Sequence, residues 1–143
     1  MRKKCDFTKS RGEDLLRAYH KCVREHSEIT SQYEMIKETV NSPASKFWIN
    51  AENASKLLQE MLNGKSTLSW RNERFEMISE ISRRYYCMKN TEKFKNYSTI
   101  HLVTIICEQP APRFYLEVDT AMKLFWKSIR EKQDIRKEKY SYL

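Results

Sequence analysis

The string Pro43-Ala44-Ser45-Lys46-Phe47-Trp48-Ile49 returns 67 residues later as Pro110-Ala111-Pro112-Arg113-Phe114-Tyr115-Leu116. Laid over each other without a gap, 33–62 and 100–129 also pair Ala54 with Ala121, Lys56 with Lys123 and Leu57 with Leu124. Replacements are conservative at Ile36 and Val103, Lys46 and Arg113, Trp48 and Tyr115, and Glu52 and Asp119. A duplicated chain must find a place for each apolar position twice, so a reading of one copy has to hold for the other.

The sequence holds only Gly 2 and Pro 3 in 143 residues, against average shares of about 7% and 5%. Folds rich in tight turns are disfavoured, and long helices with few connections are expected. The same scarcity excludes a glycine-rich phosphate loop, a dinucleotide fingerprint and a nucleophile elbow. After a basic tail over 1–9, Ser10-Arg11-Gly12-Glu13 has the form of a capping box. It predicts a first helix with Leu15, Leu16, Tyr19, Cys22, Val23 and His26 on its apolar stripe. Ser31-Gln32-Tyr33-Glu34 repeats the capping pattern before a short helix with Tyr33, Ile36 and Val40 inward, which Pro43 ends. A third helix runs from Ala51 to Leu62, capped by Asn50 and closed by Asn63-Gly64, with Ala54, Leu57, Leu58, Met61 and Leu62 inward.

The second copy is read in the same way. A helix from Arg71 to Met88 carries Phe75, Ile78, Ile81, Tyr85 and Met88 on one side, and a polar, mobile loop is expected over Lys89 to Tyr97. Residues 100–107 alone would pass as a buried strand, being rich in β-branched side chains, but their counterpart 33–40 reads as a helix and decides for a helix here. A last helix starts at Val118 and reaches Lys137, with Ala121, Leu124, Phe125 and Ile129 inward. The expected fold is all-α: two pseudo-repeated three-helix units, 10–64 and 70–137, packed into one compact protein.

A net charge of +8 points to an acidic or polyanionic partner. No apolar run approaches the roughly 18 residues that cross a bilayer, and no signal-type hydrophobic region follows the charged start. The expectation is a cytoplasmic protein away from membranes. The four cysteines are scattered and read as reduced thiols.

The repeat singles out two cation pairs. Lys46 and Arg113 each sit beside aromatics, where they could hold phosphates or stack on bases. Lys56 and Lys123 face outward if Ala54 and Leu57 face inward, and Lys127 and Arg130 extend that row. In the bland alternative Phe47 and Phe114 plug a gap between helices, the prolines stiffen the crossing, and the lysines are ordinary surface charge. Cys22 and His26 lie one turn apart, yet no second ligand pair follows, so neither a metal nor another cofactor is expected. His20, His26 and His101 fall at dissimilar places in the two copies, and no catalytic constellation recurs.

Pro110-Ala111-Pro112-Arg113-Phe114-Tyr115, followed by a helix carrying Ala121 on its buried face, resembles a motif in small bacterial proteins of about this length that have no established activity. The resemblance implies a duplicated all-α chain and says nothing of mechanism. The function expected from the residues is a small basic nucleic-acid-binding protein, regulatory or carried by a mobile element and without catalytic activity, using Lys46, Lys56, Arg113, Lys123, Lys127 and Arg130. The competing expectation is a protein-interaction adaptor or phage structural component contacting its partner through Trp48, Trp70, Tyr115 and Trp126.

Overall fold

Scarce glycine and two apolar stripes at helical spacing end in helices throughout. The computed structural model describes residues 5–140, with side chains over 7–137. Its elements are α1 (Cys5–Glu25), α2 (Gln32–Val40), α3 (Ala51–Leu62), α4 (Asn72–Lys89), α5 (Thr99–Cys107) and α6 (Val118–Tyr140), with no strand among the described residues.

Several boundaries follow from local chemistry. Ser31 and Ser98, 67 residues apart, both cap a helix from extended backbone. Each hydroxyl accepts from the amide three residues on, that of Glu34 or of His101, at 3.3 Å. Asn50 Oδ1 accepts from the amides of Glu52 and Asn53 at 2.8 and 3.1 Å and starts α3. Asn63 closes that helix, and Gly64 follows at φ 79°, the left-handed region that glycine enters without a Cβ clash. Residues 100–107 are helical, as the repeat requires, with Leu102, Val103, Ile106 and Cys107 buried. The loop after α4 is tied down by Lys89 Nζ donating to the Tyr97 carbonyl at 2.8 Å and Thr91 Oγ1 to the Met88 carbonyl at 2.7 Å.

Other expectations give way. The helix is already under way at Cys5, so Ser10 and Glu13 lie inside α1 rather than at its cap, and residues 5–9 of the expected tail are helical. The first four residues lie outside the described ones. The physical reason is packing: α1 runs along α6, and Gly12 approaches it so closely that an added Cβ would collide with Ser128 Oγ. Tertiary contact on that scale outweighs a local capping signal. Val23, Tyr33, Leu62 and Phe75, expected inward, are exposed, and Met61, Met88 and Ile129 are half-buried. A helix with two packing neighbours covers a limited stripe, and residues at its margin stay in water.

The helices gather into two compact units, which do not follow the boundaries 10–64 and 70–137. One holds α1, α2 and α6, ending at Ala44 and resuming at Leu116. The other, Ser45–Tyr115, holds α3, α4 and α5. The third helix of each sequence copy is thus lodged with the first two helices of the other. The connections 41–50 and 108–117 are long enough, at roughly 3.3 Å per extended residue, to carry a helix away from the pair that precedes it. The first unit buries Leu15, Leu16, Ile36, Val40, Ala121 and Phe125; the second buries Phe47, Leu58, Ile78, Ile81, Leu102 and Ile106.

Candidate nucleic-acid interface

The repeated motif contributes a clamp to the second unit. Phe47 is fully buried, and its amide donates to the Cys107 carbonyl at the end of α5 at 3.1 Å. Arg84 of α4 lies over the Phe47 ring, 4.9 Å from its centroid, and Tyr115 stacks on that ring at 6.1 Å and 13°. Arg113 in turn lies over Tyr115 at 5.4 Å, so each ring of the stacked pair carries its own cation. Lys46 repeats the pairing over Trp48, at 5.3 Å.

These cations are matched by carboxylates. Lys46 Nζ donates to Glu108 Oε2 at 3.0 Å, and Arg113 Nη1 donates to Glu76 Oε1. Arg84 donates through Nε to Glu80 at 2.8 Å and through Nη1 to Gln109 Oε1 and the Pro110 carbonyl, at 3.1 and 3.0 Å. Hydrogen bonding from Arg83, with Arg84 adding to it against the opposing effect of burial, holds the Glu80 carboxyl down at about 2. Burial raises the Tyr115 hydroxyl and pushes the Cys107 thiol up to about 11. Tyr115 stands at φ 57°, the one non-glycine residue with positive φ among the described residues, a conformation that costs a bulky side chain roughly 1–3 kcal/mol. Such strain persists because the stack and the ion pairs hold the ring where it is.

Lys46 and Arg113 are therefore brought into one unit and neutralised there, their side chains 22% and 28% exposed. Lys56, on α3 of that unit, is exposed. Lys123, Lys127 and Arg130 lie on α6 in the first unit. They are exposed, fall on one helix face by their spacing of four and three, and take no ion pair among the described residues. Asp119 and Asp134 bound this row at either end. Trp126 stands among the three cations, 42% exposed, its edge against Phe125 at 5.4 Å and 79°. Phe125 is buried and packs on Tyr19 at 4.6 Å.

Arg17 and Arg84 escaped the reading of the sequence. They are 67 residues apart, and each donates to the carbonyl of its own copy's proline, Arg17 Nη2 to Pro43 at 3.4 Å. Extending the repeat upstream of Tyr33 would have found them. Glu80 has Glu13 as its counterpart, but Glu76 and Glu108 meet Lys9 and Asn41 at the matching positions 67 residues earlier, so the pairing of those two carried no repeat signal.

Elsewhere in the first unit, a cleft of about 480 Å³ is bordered by Glu28, Glu34 and Glu38 with Lys37, Ser31 and Asn41. Its carboxylates repel phosphate. His26 approaches Glu28 at 3.4 Å and Glu38 at 3.8 Å. Among the described residues, no group of three or more His, Cys, Asp or Glu side chains is arranged to hold a metal, and no helix is long and apolar enough to cross a membrane. Compared with protein-family models, curated proteins and solved structures, the chain matches none.

Proposed function

We propose that this is a small basic nucleic-acid-binding protein without catalytic activity, and that it holds phosphates on the exposed face of α6. The observation that carries the reading is the row Lys123, Lys127 and Arg130, exposed and without carboxylate partners among the described residues. Cations already neutralised gain little from a phosphate, whereas free ones release counterions and gain affinity. Lys46 and Arg113, committed to Glu108 and Glu76, are assigned to the clamp. Lys56 is an exposed cation on α3 of the second unit, apart from that row. The exposed Trp126 also suits an adaptor that docks on a protein, but lysines are depleted at the centre of such interfaces, and Lys123 and Lys127 flank this ring.

Titration of labelled nucleic acid over a salt series tests the proposal. Neutralising three phosphates predicts a log–log slope of about −2 to −3, and alanine at Lys123, Lys127 and Arg130 together should flatten it. Lys46→Ala with Arg113→Ala should leave the slope in place while lowering stability. Absence of binding at low salt overturns the assignment.

A further inference from the structure

We propose that the ligand of the α6 face is a single strand, with Trp126 as the platform on which one base stacks; this rests on the phosphate-binding reading above. Trp126 follows Lys123 by three residues and precedes Arg130 by four, so its indole stands between them on the helix surface, beside Lys127. At 1.5 Å per residue the cations climb about 6 Å and then about 4.5 Å along the axis. A flexible backbone can follow such a row while a base leaves it for the ring.

The ring is held for this purpose. Its edge rests on Phe125, which is itself fixed against Tyr19, so stacking does not require the indole to reorganise. Enough of the indole stays in water to accept a base. Cations alone would not distinguish a duplex from a single strand, since both present phosphates. The indole does distinguish them, because duplex bases are already stacked and must be pried apart before one can reach it. Burying Trp126 in an apolar protein partner would instead strip water from three uncompensated charges.

The test uses the full chain with three labelled ligands of about twelve nucleotides, within the span that single-strand sites cover. These are oligothymidylate, oligouridylate and a mixed-sequence DNA duplex of the same length. Either single strand should bind more tightly than the duplex, the stronger one naming the preferred sugar. Trp126→Ala should weaken single-strand binding roughly 5- to 100-fold, change duplex binding less than about twofold and leave the salt slope in place, while Trp126→Phe retains most of the affinity. Trp126→Leu, which keeps an apolar contact with Phe125 and removes the π face, substitutes if the alanine variant melts. Tighter duplex binding, or a Trp126 effect equal on all three ligands or absent, overturns the single-strand inference and leaves the phosphate reading standing. Failure of every ligand to bind overturns both.

Discussion

In the earlier proline segment, 43–49, the Pro43 carbonyl is held by Arg17 Nη2 at 3.4 Å; in the later one, 110–116, the Pro110 carbonyl is held by Arg84 Nη1 at 3.0 Å. Arg17 otherwise pairs with Asp14 at 2.8 Å and is half exposed. Arg84 is largely buried and reaches Glu80, Gln109 and the Phe47 ring as well. Both segments place a cation over an aromatic two residues on, at nearly equal distance, but only Tyr115 is driven into the left-handed region. Duplication thus reproduces the local frame, while the strength of the clamp depends on which carboxylates and rings the surrounding helices supply.

The difference can be broken at its centre. Arg84→Ala removes a charged hydrogen-bond network and uncovers a buried ring, and should lower stability by about 2–3 kcal/mol, against about 1 kcal/mol for Arg17→Ala, measured by denaturant unfolding. Equal losses would mean that the additional partners of Arg84 contribute nothing. A smaller effect is expected from pH. Glu80 titrates at about 2 in the folded chain against an ordinary value of 4.5, so its stabilisation is complete above 4.5 and is lost as pH falls towards 2. The wild type should therefore lose more of its unfolding midpoint between pH 5 and 2.5 than Glu80→Gln, which starts lower and declines less. The smallest effect concerns the Lys46–Glu108 pair beside Cys107. At neutral pH a disulfide reagent should modify exposed Cys87 readily and buried Cys22 and Cys107 slowly. Lys46→Ala should slow Cys107, followed by mass spectrometry of its peptide, still further, because the lysine charge that favours its thiolate is gone and that of Glu108 remains.

Much of the secondary structure is legible in the residues because its determinants are local. Ser31, Asn50 and Gly64 each act within a few residues of themselves, and the duplicated register settled residues 100–107 as helix against their β-branched composition. The start of α1 was not legible, since Ser10 and Glu13 carry a capping pattern that the packing of Gly12 near Ser128 overrides. Of the candidate site, the outward direction of Lys56, Lys123, Lys127 and Arg130 followed from helical spacing. The neutralisation of Lys46 and Arg113 did not, because Glu108 lies 62 residues from Lys46 and Glu76 lies 37 from Arg113. Contacts over such separations have no periodicity to betray them.

The sequence by itself determined that the chain is helical, where most of its helices begin and end, and that a stretch of about thirty residues is written twice. Only the tertiary structure decided which helices keep company. The apolar faces of α3 and α6 share Ala54 with Ala121 and Leu57 with Leu124, but α3 carries Leu58 and Met61 where α6 has the buried Phe125 and Ser128. Helical periodicity is the same in both and does not name the partner pair; a close approach does, since Gly12 of α1 lies against Ser128 of α6, where α3 has Met61. Connections of ten residues make both placements reachable, and packing lodges α3 with α4 and α5, and α6 with α1 and α2.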